Sequence, residues 1–186
     1  MKTKLAPAIR SVQWLPAERL GQLEVEGNVR PWLIGKGLLS TRVKSACGER
    51  YSRRLVEQWS GRLSPSQKLG VRAQDDAGLF RDVEMGRDEQ VWVFAQTVTP
   101  DSTLCLHPWL AELGDTPLDE MLDGLSGIDR SVHEYAWLPA DDPLSQRALR
   151  NARITPAGVW ARRSRIALRG APLLLQELFL PTVGLV

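Results

Sequence analysis

The 186-residue chain is poor in the residues that metal and redox sites need, with only two cysteines and two histidines. Cys47 and Cys105 stand far apart and match no zinc-binding or redox spacing. Because His107 and His133 are the only histidines, a first-row metal site is not expected either. The sequence therefore predicts no metal centre, and it favours packing or surface positions over catalysis for both histidines.

Long apolar runs and a strong charge of one sign are also missing. No stretch approaches the roughly eighteen apolar residues of a membrane span, and no apolar run follows the basic N-terminus. The net charge is only +2, and no basic block alternates with aromatic residues, so a nucleic-acid partner is not expected. These features predict a cytoplasmic monomer with one domain over residues 1–186 and no stable membrane insertion.

Two hairpins dominate the part of the sequence that has a clear pattern. Residues 79–98 and 159–180 each contain two strand-like runs around a turn. A short helix is expected over residues 38–46, an amphipathic helix over 104–113, and a helix start at Thr116-Pro117. Strands outnumber helices and come in hairpins, so the predicted class is α+β with an antiparallel sheet.

One charge in the first hairpin falls on an apolar strand face. Arg81 has the same parity as Leu79 and Val83, whereas Asp82 and Glu84 alternate with them on a face expected to be polar. A guanidinium among apolar side chains costs several kcal/mol unless it meets an anion.

Glu177 presents the same problem in the last strand, where it shares parity with Leu173 and Leu175. One interpretation is a buried ion pair between Arg81 and Glu177, or strand faces that open to solvent at an edge. The other is a closed pocket in which the arginine binds a carboxylate and the glutamate accepts a hydrogen bond from a hydroxyl at the ligand's far end. Periodicity does not choose between them.

Three segments of the C-terminal third are distinctive: WARRSR at 160–165, RGAPLLL at 169–175 and ELFLP at 177–181. Together they resemble the signature of the chorismate lyases. Upstream, the segments LFR at 79–81, TVTPDSTL at 97–104 and LGDTPL at 113–118 fit the same family in the same order. The resemblance extends from about Trp32 to the C-terminus, while residues 1–30 match weakly and residues 129–157 are longer than in short family members.

This resemblance implies a sheet of about six antiparallel strands, covered by helices and helix-turn-helix flaps that seal a ligand from solvent. It implies a carbon–oxygen lyase that converts chorismate into 4-hydroxybenzoate and pyruvate without a cofactor, as the first committed step of ubiquinone biosynthesis. By the same resemblance, Arg81 binds the product's carboxylate and Glu177 meets its hydroxyl. Main-chain contacts are implied at Leu118 and Leu39. Product inhibition is expected because a sealed ligand leaves slowly.

Two parts of the chemistry stay open at this stage. The hydrogen lost from the ring passes either to the leaving enolpyruvyl group or to Glu177 acting as a base. A second cation is expected for the enolpyruvyl carboxylate, and Arg162, Arg163 or Arg165 could supply it. A solvated basic face is nevertheless the favoured interpretation of these three arginines.

A non-catalytic protein is the main alternative, because a related fold binds effectors in some transcription regulators. Such regulators carry a helix-turn-helix DNA-binding domain on the same chain. No segment before Trp32 fits one. Formation of 4-hydroxybenzoate from chorismate would distinguish the enzyme from the effector-binding module.

Overall fold

A computed structural model describes residues 12–185, which form an antiparallel sheet with helices on both of its faces. The strands are β1 (Leu15–Pro16), β2 (Tyr51–Arg62), β3 (Ala77–Arg87), β4 (Gln90–Pro100), β5 (Ile128–Arg130), β6 (Glu134–Pro139), β7 (Gly158–Leu168) and β8 (Ala171–Phe179). The α-helices are α1 (Arg30–Ile34), α2 (Leu39–Cys47), α3 (Pro65–Val71), α4 (Asp101–Leu106), α5 (Leu118–Leu122) and α6 (Pro143–Leu149). Short 3-10 helices cover Ala17–Gln22, Gly48–Arg50 and Pro108–Glu112.

The sheet has eight strands in the order β1-β6-β7-β8-β4-β3-β2, with β5 pairing the end of β7. The α+β class and the antiparallel sheet are confirmed, but the expected count of about six strands is too low. The two additional strands are β1, with two residues, and β5, with three. Segments this short contain less than two periods of the alternating pattern, so the sequence could not reveal them.

Both predicted hairpins form, and they supply the four central strands of the sheet, β7, β8, β4 and β3. β3 and β4 are joined at Asp88 and Glu89, and β7 and β8 at Arg169 and Gly170. Arg169 and Gly170 have φ angles of 49° and 90°, which is the two-residue turn whose twist matches antiparallel strands. Strands β4 and β8 then pair with each other, so the two hairpins form one continuous surface.

The helix predicted over residues 104–113 is wrong as a single element. The chain instead forms α4, which ends at Leu106, and a separate 3-10 helix from Pro108 to Glu112. Pro108 disfavours the helical conformation at the preceding residue, and His107 accordingly has φ −132° and ψ 65°. Helix α5 begins at Leu118, one residue later than the Thr116-Pro117 pattern predicted.

Helices cover both faces of the sheet, and the cover on one of them was not predicted. Leu33 of α1 and Leu39 of α2 pack with Val83 on one face, and Leu118 of α5 packs there with Leu175. We call residues 30–47 the first flap and residues 108–122 the second flap.

The opposite face is also buried. Helix α3 packs on it through Val71, and α6 through Ala148. Asp82 and Glu84, expected on a polar outer face, are therefore 0% and 3% exposed. Arg147 of α6 bonds Asp82, and Asn151 bonds Glu84.

Candidate active site

A small cavity of about 20 Å³, lined almost entirely by buried residues, lies between the sheet and the second flap. Its walls come from β3, β4 and β8 on one side and from the start of α5 on the other. The lining residues are Arg81, Val83, Met85, Ala95, Thr97, Pro117, Leu118, Asp119, Leu175 and Glu177. Three of the residues that the sequence singled out, Arg81, Leu118 and Glu177, thus meet at one cavity.

Strand register explains why Arg81 and Glu177 share the cavity. Arg81 pairs with Thr97 and Thr97 with Leu175, and Glu177 lies two residues further along β8 on the same face. Two strand spacings and two residue rises place the two Cα atoms about 12 Å apart. The arginine and the glutamate therefore reach the cavity from opposite corners, with Ala95 and other small or apolar groups between them.

The Arg81 guanidinium is held by the turn that precedes α5. Its Nε and Nη2 donate to the Gly114 carbonyl oxygen at 3.1 and 2.8 Å, and Nη2 also donates to the Thr116 carbonyl oxygen at 2.6 Å. Nη1 makes no hydrogen bond within residues 12–185. Burial lowers the pKa of Arg81 to about 10, so the side chain, which is 4% exposed, remains a cation at neutral pH.

Glu177 pairs with Arg162 on the neighbouring strand and not with Arg81. Arg162 lies directly across from it in the β7–β8 register. The guanidinium Nε donates to Glu177 Oε2 at 2.6 Å and Nη2 to Oε1 at 3.3 Å, both within the interior. The buried Arg81–Glu177 ion pair considered from the sequence is therefore wrong.

Arg162 also fixes the first flap to the glutamate. Its Nη1 donates to the Leu33 carbonyl oxygen at 3.2 Å and to the Gly35 carbonyl oxygen at 3.1 Å. Burial by itself raises the pKa of Glu177. The Arg162 guanidinium and its hydrogen bonds, with smaller effects from His133 and Arg130, reverse this and hold the pKa below its usual value. Glu177 is therefore an ionised, buried carboxylate.

The three arginines of β7 do not form a solvated basic face, which corrects the interpretation that the sequence favoured. Arg162 and Arg163 are 1% and 3% exposed, and only Arg165 is partly exposed. Arg163 lies on the opposite face from Arg162, where it bonds Glu134 and Ser66. The sequence signal was present, because Arg162 shares parity with the apolar Trp160 and Ile166.

Leu39 and Leu118 are the first residues of α2 and α5, the two helices that face each other across the flaps. Leu118 lines the cavity, whereas Leu39 packs behind it with Val83 and Met85, which do line it. Asp119 joins the two helices, since its carboxylate accepts from the Ser40 N–H at 3.1 Å and from the Glu120 N–H at 3.0 Å. Sequence reasoning missed this role of Asp119, because its partner lies 79 residues away.

Among residues 12–185, no group of three or more histidine, cysteine, aspartate or glutamate side chains is arranged to hold a metal ion. In the same part of the chain, no helix is long and apolar enough to cross a membrane. Cys47 and Cys105 are free thiols. His107 lies beside the end of β7, with its Nε2 atom 3.2 Å from the Leu168 carbonyl oxygen.

Solved structures with this fold include effector domains of transcription regulators. The effector domain of PhnF from Mycobacterium smegmatis aligns with a TM-score of 0.52 over 80% of this chain and 91% of its own, at 17% identity. A GntR-family regulator from Bacillus cereus aligns with a TM-score of 0.54 over 72% and 93%, at 11% identity. At such low identity these likenesses establish the fold alone.

Sequence comparisons are more specific. Residues 8–185 match the model of the family described as chorismate lyase. A probable chorismate pyruvate-lyase from Azoarcus sp. is 34% identical over 85% of this chain and 86% of its own length. A chorismate pyruvate-lyase from Salmonella arizonae is 31% identical over 84% and 85%. The chain belongs to the chorismate lyase family, whose members are carbon–oxygen lyases.

Proposed function

We propose that this protein converts chorismate into 4-hydroxybenzoate and pyruvate. The observation that carries the proposal is the buried cavity with a buried cation, Arg81, at one corner and a buried carboxylate, Glu177, at the other. Chorismate and 4-hydroxybenzoate both have a carboxylate and a hydroxyl on opposite sides of one ring. Such a ligand brings an anion to the Arg81 corner and a hydroxyl donor to the Glu177 corner.

In this proposal Arg81 binds the ring carboxylate. Its Nη1 is available, while Nε and Nη2 are engaged by the turn at Gly114 and Thr116. A guanidinium bonds a carboxylate most strongly through two parallel N–H groups. Binding through two nitrogens therefore requires the turn to release at least one of its bonds, which couples ligand binding to movement of the second flap.

Glu177 accepts a hydrogen bond from the ring hydroxyl. Both of its oxygens already accept from Arg162, but a carboxylate has about four acceptor positions and can accept a further O–H. Main-chain groups of Leu39 and Leu118 supply two further contacts, as the family resemblance implies. The position of Leu118 in the cavity wall supports its part of this assignment more directly than that of Leu39.

The reaction breaks two bonds that join ring carbons to their substituents, and the ring itself stays intact. The C–O bond to the enolpyruvyl oxygen breaks, and the hydrogen on the hydroxyl-bearing carbon leaves as a proton, so that the ring becomes aromatic. The released enolpyruvate becomes pyruvate when it takes up a proton. Because Arg162 lowers the pKa of Glu177, this carboxylate is a weak base, and we assign the proton to the leaving group. Glu177 then orients the ring and stays ionised.

The cavity volume requires the flaps to open during each cycle. A space of about 20 Å³ holds about one water molecule, so a six-membered ring enters only when the first or second flap moves away from the sheet. Closure then keeps water away from the reacting ether. Flap opening also governs product release, and strong inhibition by 4-hydroxybenzoate follows.

Turnover of chorismate tests the proposal directly, by the appearance of 4-hydroxybenzoate absorbance and of an equal amount of pyruvate. We expect Arg81→Ala and Glu177→Gln to lose at least about a hundredfold in kcat/KM. Arg153 and Glu89 form an ion pair at the surface, 80% and 78% exposed, so Arg153→Ala and Glu89→Gln are the matched controls and should turn over normally. Near-wild-type turnover in both cavity variants would contradict the roles assigned to Arg81 and Glu177.

A non-catalytic binder of small aromatic acids is the second candidate, favoured by the fold that this chain shares with effector domains. Binding of 4-hydroxybenzoate without any turnover of chorismate would establish it.

As parts of the main proposal, the protein is a cytoplasmic monomer and its product enters ubiquinone biosynthesis. Light scattering during gel filtration tests the first, and loss of ubiquinone on deletion of the gene, restored by added 4-hydroxybenzoate, tests the second.

A further inference from the structure

A second cavity, much larger and more open to the surface, has a volume of about 420 Å³ and lies beside the first one. The loop of the first flap, residues 35–38, forms one wall, and α5 and β5 form the others. Asp119 lines both cavities, so they meet at the start of α5. The second cavity is on the Glu177 side, because Gly35 in its wall accepts a hydrogen bond from Arg162, which pairs with Glu177.

Arg130 and His133, which both line this cavity, have side-chain nitrogens without a hydrogen-bond partner among residues 12–185. Arg130 makes no ion pair and no side-chain hydrogen bond with any residue that the structure describes. The Nε2 atom of His133 is buried and has no hydrogen-bond partner in the same residues. Burial, together with Arg162 and Arg130, lowers the pKa of His133 to about 4, so at neutral pH its imidazole is uncharged and carries one N–H donor.

Three other charged residues line this cavity. Lys36 adds a cation from the exposed loop, and Asp123 adds an exposed carboxylate. The Asp119 carboxylate is already engaged by the N–H groups of Ser40 and Glu120. Neither Lys36 nor Arg130 forms an ion pair among residues 12–185, but Lys36 is exposed whereas Arg130 is half-buried and, like His133 with its unpaired Nε2, lines the cavity.

The shape of the substrate connects this cavity to the reaction. In chorismate the enolpyruvyl ether is on the ring carbon next to the one that bears the hydroxyl. If the hydroxyl meets Glu177, the enolpyruvyl group must also lie at the Glu177 end. The cavity of about 20 Å³ has no room for it, whereas the adjoining one of about 420 Å³ does.

We propose that the second cavity is the subsite for the enolpyruvyl group, whose carboxylate binds the Arg130 guanidinium and the Nε2–H of His133. This inference rests on the proposed function and assigns the second cation to Arg130. None of the three arginines of β7 fills that role. Arg162 is engaged by Glu177 and the first flap, Arg163 lies on the opposite face of the sheet, and none of the three lines the cavity. Pyruvate would leave through the same cavity.

The subsite should contribute to the binding of chorismate but not to that of 4-hydroxybenzoate, because 4-hydroxybenzoate has no enolpyruvyl group. We expect Arg130→Met to raise the KM for chorismate by about tenfold to a hundredfold, the range for a lost charge-assisted hydrogen bond. Its dissociation constant for 4-hydroxybenzoate, measured by titration calorimetry, should stay within about twofold of wild type. Arg130→Lys should recover part of the loss, and Arg153→Met, which removes an exposed arginine from another surface, is the control.

Variants of His133 test the subsite independently of Arg130. His133→Phe removes the donor and should raise the KM for chorismate, whereas His133→Gln retains an N–H and should restore part of it. An unchanged KM in Arg130→Met, or an equal loss of 4-hydroxybenzoate affinity, would overturn the subsite while leaving the lyase assignment intact. Absence of chorismate turnover by the wild-type protein would overturn both.

Discussion

Replacing Arg162 with methionine should destabilise the protein strongly, because it leaves a buried carboxylate without its cation. Arg162 is 1% exposed and makes four hydrogen bonds, two of them to Glu177 and two to carbonyl oxygens of the first flap. Removing one partner of a buried ion pair costs about 3–5 kcal/mol. In a domain of this size that loss lowers Tm by about 6–20 °C.

The pH dependence of this loss identifies its cause. In the wild type the pKa of Glu177 is held below its usual 4.5, so its stabilising contribution is present above that value and is lost as the pH falls through the lowered pKa. In Arg162→Met the burial that raises the pKa of Glu177 is no longer offset by the arginine. The folded variant then takes up a proton more readily than the unfolded chain, so its deficit should shrink as the pH falls from 7 toward 5.

Chemical denaturation followed by tryptophan fluorescence measures the effect, since the chain has seven tryptophans. The free energy of unfolding is compared for wild type, Arg162→Met and the double variant Arg162→Met/Glu177→Leu at several pH values. The double variant removes both charges and should recover most of the lost stability. A deficit below about 1 kcal/mol in the single variant, or no recovery in the double one, would refute the reasoning.

Three further predictions concern the flaps and the far face of the sheet. Added 4-hydroxybenzoate should lower the initial rate of chorismate turnover, and an unchanged rate at millimolar product would contradict a closed cavity. Asp119→Ala removes the acceptor for the Ser40 N–H, so amide hydrogen exchange should accelerate in both flaps but not in β7; equal exchange would show that Asp119 does not join them. Asp82→Ala leaves Arg147 and Gln96 without their acceptor on the opposite face; it should cost about 1–3 kcal/mol in denaturation and leave KM unchanged, and a raised KM would mean that the two faces are coupled.

The sequence could predict the long strands and their pairing, because each hairpin contains its own register signal. Residues 79–85 and 159–168 alternate, residues 91–98 are rich in β-forming residues and 173–180 are nearly continuously apolar, and a glycine-containing turn joins each pair of runs. It could not predict that β4 pairs with β8, because nothing local records contacts between distant segments. Asp82 and Glu84 were misplaced for a related reason: a polar strand face suggests solvent, and only the fold brings Arg147 and Asn151 over it.

The site could be predicted only in part. Arg81 and Glu177 were recognisable as charges among apolar neighbours, and the structure brings them to one cavity. Their actual partners were not predictable, because Gly114 and Thr116 contribute carbonyl oxygens, which any residue possesses. The burial of Arg162 was harder to recognise, because three arginines within residues 162–165 suggest a solvated basic segment, although Arg162 shares parity with Trp160 and Ile166.

The most direct test of the account compares binding of 4-hydroxybenzoate and benzoate, which lacks the hydroxyl, by titration calorimetry. Arg81→Met should weaken both ligands at least tenfold, since each has the carboxylate. Glu177→Gln should weaken 4-hydroxybenzoate but leave its affinity for benzoate within about twofold of wild type, and comparing two ligands on one variant cancels any change in stability. Equal weakening of both ligands by Glu177→Gln, or unchanged binding to Arg81→Met, would contradict the claim that these two charges hold opposite ends of the ring.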